Sequence, residues 1–147
     1  MDQYIASLAR SCLELGNISI FYDENMPEDF IIPSLYFPPP ETSLSGSALG
    51  SYSTKYSIYA KVFAKTKLEA VMMADSIAQG IMMKKCLIPI YNEDGTDSGE
   101  IFKMDPPDVR GVNEGMAQIT LIFRIIRAFT ETKYPGAQSV DINKNYD

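Results

Sequence analysis

The chain contains no histidine. That removes Ser–His and Cys–His catalysis and every histidine-ligated metal site. Its two cysteines, Cys12 and Cys86, fall in different predicted elements. They are too few for a four-cysteine zinc site, and they read as two buried free thiols in a reducing compartment. No Gly-x-x-x-x-Gly-Lys loop or Gly-x-Gly-x-x-Gly fingerprint is present, so no phosphate-cradling motif points to a nucleotide. No apolar run approaches the roughly 20 residues of a membrane span. Met1-Asp2-Gln3-Tyr4 lacks the basic start of a secretory signal, so the expected place of synthesis is the cytoplasm. Basic charge is also scarce: 13 Lys and Arg stand against 19 Asp and Glu, a net charge of −6. Nonspecific nucleic-acid binding needs a basic face. An acidic surface instead suits a channel through which DNA slides without sticking.

What is present is patterned for a packed fold. The 147 residues are 46% hydrophobic, enough for one domain with a core. Residues 52–64 alternate: Tyr52, Thr54, Tyr56, Ile58, Ala60, Val62 and Ala64 share one face. Period 2 predicts a long strand with one buried side. Thr66-Lys67-Leu68-Glu69 then fits a capping box, opening a helix over 67–84. Ala70, Met73, Ala74, Ile77, Ala78 and Ile81 form its sheet-facing stripe. Leu68, Met72 and Met83 fall on a separate flank, interrupted by Asp75. Methionine packs adaptably at contacts, so this flank is a candidate subunit interface as well as a covered helix face.

Elsewhere the pattern is plainer. Residues 3–15 read as a short amphipathic helix ended by Gly16-Asn17. Residues 17–22 and 31–37 read as short extended segments, with Pro33 suited to a strand start or a sheet edge. Pro38-Pro39-Pro40 stops regular pairing. The Ser- and Gly-rich run 41–51 then reads as a mobile loop, with Leu44, Ser45, Gly46 and Leu49 as candidate partner contacts. Cys86–Tyr91 and Glu100–Met104 flank an Asp94-Gly95 turn and predict a hairpin. Its acidic tip, with Glu93, Asp94 and Asp97, lacks the ligand order of a calcium loop. Met116–Phe129 is the strongest core strand, and its half-polar second face suits an antiparallel sheet. Arg124 on that face is either a surface residue or in need of a carboxylate partner. Residues 1–130 form one expected domain, and 131–147 an extension that is disordered or an arm.

The order helix, strand, strand, long loop, long strand, helix, hairpin, long strand resembles the tail terminator (tail completion) proteins of long-tailed bacteriophages. The likeness is carried by Tyr52-Ser-Thr-Lys-Tyr-Ser-Ile-Tyr-Ala-Lys-Val-Phe-Ala-Lys-Thr-Lys-Leu-Glu-Ala and by Gln118-Ile-Thr-Leu-Ile-Phe-Arg-Ile-Ile-Arg-Ala-Phe. The resemblance implies an α+β fold, a mixed and mostly antiparallel sheet with two helices packed on one face. It implies a homo-oligomeric ring, a hexamer, in the neck of a virion assembled in the bacterial cytoplasm. That ring caps the tail tube protein, ends elongation and docks the head connector protein. No enzyme activity, cofactor, metal or membrane is implied, and DNA passes through unbound. On this reading the acidic hairpin Glu93, Asp94 and Asp97 lines the lumen, and Leu44, Ser45, Gly46 and Leu49 reach the tube or connector. The alternatives are another head-completion or connector subunit, and a small α+β ligand-binding or regulatory module.

Overall fold

The computed structural model describes residues 2–129. The extension expected over 131–147 lies outside the described residues. Ten elements follow in order: α1 (Gln3–Gly16), β1 (Phe21–Asp23), β2 (Ser34–Phe37), β3 (Glu41–Ala48), β4 (Ser51–Phe63), α2 (Lys67–Met83), β5 (Leu87–Tyr91), β6 (Asp97–Lys103), β7 (Asp108–Asn113) and β8 (Met116–Ala128). The fold is α+β, as the element order implies.

The central feature is a β4–β8 pair in register from Ser51↔Ala128 to Phe63↔Met116. Its alternation does what period 2 demands. Ile58, Ala60 and Val62 of β4 and Ala117, Ile119, Leu121 and Phe123 of β8 have no exposed surface. Around this pair the main sheet runs β1-β2-β4-β8-β7, and β3 also pairs with β4. Every pairing is antiparallel except β1 with β2. Strands β5 and β6 form a separate hairpin.

Both helices cover the same sheet face. In α1, the Asp2 carboxylate caps the start by accepting from the Tyr4 N–H at 2.7 Å. Asn17, with φ 54°, turns the end left-handed so that the Ile18 N–H reaches the Leu13 carbonyl at 2.9 Å. In α2, the Thr66 hydroxyl accepts from the Glu69 N–H at 3.1 Å, the bond expected of the capping box. Ala70, Ala74, Ile77, Ala78 and Ile81 are buried, while Met73 is half-buried. Gly80 lets the helices approach, because a Cβ there would lie 2.6 Å from a Leu15 methyl.

Phe123 sits at the centre of the core. Its ring lies 4.9 Å from both Tyr56 and Phe102, and 6.5 Å from Tyr4. It therefore ties β8, β4, β6 and α1 together. Cys12 and Cys86 are buried and free.

Three segments differ from expectation. Residues 41–51 are not a mobile loop: Glu41–Ala48 is strand β3, laddered on β4 from Glu41↔Ser57 to Ala48↔Ser51. Its small polar side chains hide a strand whose ladder is made by backbone alone. β2 and β3 flank the same edge of β4 and are interrupted only at Pro38-Pro39-Pro40. Prolines have no N–H to donate there. A short edge strand, β7, fills residues 108–113, which carry little apolar alternation. The first two strands also shrink, to Phe21–Asp23 and Ser34–Phe37.

Candidate interaction surface

β4 has 13 residues and α2 has 17. At about 3.3 Å and 1.5 Å per residue these are roughly 43 Å and 26 Å long. The strand outruns the helix, and one end of the sheet projects as a three-stranded ribbon of β3, the start of β4 and the end of β8. Its inner face continues the core face: Thr54 is still buried, the Arg127 guanidinium donates to the Tyr56 hydroxyl at 2.8 Å, and among the described residues nothing covers the tip beyond them. Leu44, Ser45, Gly46, Tyr52 and Phe129 line a shallow cleft there. The Tyr52 and Phe129 rings lie 5.5 Å apart, and Leu44 is 70% exposed. The expected contact residues Leu44, Ser45 and Gly46 thus meet in one place. Leu49 stands next to them in the turn, fully exposed. Tyr52 and Phe129 were not singled out from the sequence, although the alternation of β4 already placed Tyr52 on the apolar face.

Among the described residues the ribbon also has two backbone edges without a partner strand, that of β3 and that of the last residues of β8. The Asp105 N–H donates to the Ile122 carbonyl, and the Phe129 N–H to the Gly50 carbonyl. These two bonds set the parity of β8: odd residues bond to β4, and even residues point outward. Opposite parity passes through β4 to β3, where Ser43 faces Lys55 and Leu44 faces Thr54. The outward residues are therefore Thr42, Leu44 and Gly46 on β3 and, past the Met104↔Phe123 bridge, Ile126 and Ala128 on β8. Among the described residues β3 pairs only with β4; along the outer edge of β8, β7 reaches to Thr120 and the Met104↔Phe123 bridge covers the edge from Ile122 to Arg124.

The other expected site residues lie elsewhere. Glu93, Asp94 and Asp97 are exposed at the tip of the β5–β6 hairpin. That tip is held on α1: Arg10 donates to the Gly95 carbonyl at 2.7 Å and lies 3.7 Å over the Tyr91 ring. The Asp94 carboxylate accepts from the Thr96 hydroxyl at 2.6 Å and from its N–H at 3.0 Å. The hydroxyl, more than the amide, holds its pKa below the usual aspartate value. Asp97 accepts from the Gly99 N–H at 2.8 Å. Both aspartates therefore shape the turn.

On α2, Leu68, Met72 and Met83 are 69%, 59% and 85% exposed. Asp75 accepts from Gln79 at 2.8 Å. Met72 joins Ile32, Pro33, Ala64, Lys65, Glu69 and Met73 around a second apolar cleft. Leu68 and Met83 stay outside it. This cleft lies beside Ala64, at the opposite end of β4 from the ribbon tip.

The sheet face away from the helices mixes polar residues with Tyr59, Phe63, Ile122 and Ile126. Arg124 meets both Asp105 carboxylate oxygens at 2.9 Å, with both side chains about half exposed. The partner is thus present and the pair is solvated, worth little to stability. Lys61 and Arg110 flank Gln118 across three strands. Partial burial first, and the Arg110 charge second, lower the Lys61 pKa. Among the described residues no group of three or more cysteines and carboxylates is placed to hold a metal ion.

Comparison with known proteins adds the context. The chain is 26% identical over 122 residues to the phage-like element PBSX protein XkdJ of Bacillus subtilis, covering 83% of this chain and 84% of that protein. The chain is related to a protein of a phage-like element. It is also 29% identical over 121 residues to the uncharacterized protein YqbJ of the same organism, over 82% of each. No family model matches the chain. The aligned lengths take in most of the domain, so the relationship covers more than one motif.

Proposed function

We propose that this chain is a structural protein of a phage-type virion, a ring subunit that caps the tail tube, ends its elongation and docks the head connector. Relationship to a protein of a phage-like element over four-fifths of the chain supports the virion setting. The observation that carries the assembly role is the ribbon, a sheet extension with an open apolar cleft at its tip and, among the described residues, unpaired edges on β3 and on the end of β8. A monomer gains nothing from such a surface. Native edges without a partner are normally blunted by charge, proline or a covering element. Two different patches on one subunit also suit head-to-tail contacts, which close into rings. The reading assigns the chain no catalytic step and no cofactor, with DNA passing through the ring.

The test is electron microscopy of particles made without this chain. Overlong tubes and unjoined heads are expected. Tails of normal length lacking heads would shift the chain to the head connector. Joined particles of normal length would sink the proposal.

A further inference from the structure

We propose that neighbouring copies of this chain pair through their ribbons, the outer edge of β3 in one copy hydrogen-bonding to the outer edge of β8 in the next as a parallel ladder. This names the subunit contact and rests on the ring reading above.

The two edges stand at the same level, β3 with three outward residues and β8 with two past the Met104↔Phe123 bridge. Thr42, Leu44 and Gly46 lie opposite Tyr56, Thr54 and Tyr52 of β4, and Ala128 and Ile126 lie opposite Ser51 and Ser53. Each edge presents a run of alternate outward N–H and C=O groups at the same height on the ribbon. The direction follows from topology. β3 and β8 both run antiparallel to β4, so they run parallel to each other. Rotation about an axis along the strands brings one edge to the other without reversing it.

The pleat agrees. In a parallel ladder an outward residue lies opposite one whose own N–H and C=O point away. Leu44 then lies opposite Ile125 or Arg127, whose side chains share its helix-side face. Ser43 and Ser45 fall beside the Arg124 and Ile126 face. An antiparallel join between copies facing the same way would instead set Leu44 opposite an even residue of β8, with its side chain on the other face. The pairing also adds apolar cover, because Leu44, Phe129 and Ile126 are 70%, 56% and 70% exposed in the single chain.

Nothing on β3 opposes such pairing. Residues 41–48 contain no lysine and no proline, and the bulge falls only after Gly46. Because the two edges differ, the contact is heterologous: each copy uses β3 on one side and β8 on the other.

The test uses two full-length variants. Leu44→Pro removes an outward N–H from β3, and Ile126→Pro one from β8, each leaving the ladder to β4 intact. Circular dichroism and cooperative melting confirm folding, and Thr42→Pro and Ala128→Pro replace either variant that fails. The wild type, alone or on purified tail tubes, is expected as a ring, and each variant alone as a monomer. An equimolar mixture is expected to give a species near twice 16.4 kDa and nothing larger, since one good edge of each kind remains. Amide exchange at Leu44 and Ile126 is expected to slow in wild-type rings. Rings that survive both prolines, or fast exchange at these amides within rings, overturn the edge pairing and leave the ring reading standing. Loss of assembly in one variant alone overturns it too, because it indicates a self-paired edge. A wild type that stays monomeric even on tubes overturns the ring reading itself.

Discussion

Raising the pH tests the core through Cys12. This thiol has no exposed surface, and burial pushes its pKa from an ordinary 9.0 up to about 12. The direction follows from desolvation, which penalises the thiolate and leaves the neutral thiol untouched. Above pH 9 the unfolded chain has released this proton while the folded chain keeps it. The unfolded state then binds fewer protons, so stability falls as pH rises. The contribution is fully present below pH 9 and is lost progressively up to pH 12. At pH 10 the unfolded thiol is about ten parts thiolate to one part thiol, a loss of about 1.4 kcal/mol. Against a typical total of about 5–15 kcal/mol this is measurable. The assay is urea unfolding at pH 7.5 and pH 10, under reducing conditions, for the wild type and Cys12→Ala. The alanine variant starts lower at pH 7.5, because it leaves a small cavity. Its further loss on going to pH 10 should be smaller than the wild type's by about 1.4 kcal/mol. Parallel losses in the two proteins would refute the reasoning, since they would mean that Cys12 meets solvent or ionises in place.

Three further outcomes are expected. Phe123→Ala removes the ring that joins Tyr56, Phe102 and Tyr4, and should cost about 3–5 kcal/mol in denaturant unfolding. Gly115→Ala should destabilise by about 1–2 kcal/mol, since φ is +77° and the new Cβ would lie 2.9 Å from the Ala64 carbonyl oxygen; an unchanged midpoint would show that the turn relaxes freely. Reversing the hairpin charge with Asp94→Lys and Asp97→Lys should leave particles assembled but impair DNA delivery, and unchanged infectivity would remove these residues from the lumen.

How much of this was legible depended on whether side chains carried the structure. The β4 alternation and the Thr66 cap are written in residue types, and the alternation and the bond from the Glu69 N–H to the Thr66 hydroxyl both stand in the structure. So does the apolar face of β8, because burial selects those side chains directly. β3 is different. Glu41-Thr-Ser-Leu-Ser-Gly is exposed throughout, so no apolar period marks the strand. What holds it is the register of Ser43 and Ser45 on Lys55 and Ser53, a backbone property that any small residue satisfies. β7 was hidden for the same reason, on the far edge of the sheet.

The ribbon was nonetheless partly implicit. A strand of 13 residues followed by a helix of 17 cannot be covered along its whole length at about 3.3 Å against 1.5 Å per residue. Yet Tyr52 keeps the apolar phase to the strand's outer end, as do Ile125 and Phe129 on the neighbouring strand, on either side of Arg127, whose guanidinium donates to the Tyr56 hydroxyl. Apolar phase continued beyond the reach of the described helices is the surface that the subunit contact proposed above would cover. The Ser- and Gly-rich character of β3 fits that contact, because small side chains leave its backbone edge open to a neighbour. The residues least informative about this chain's own core are therefore the ones whose backbone is free to join a second copy.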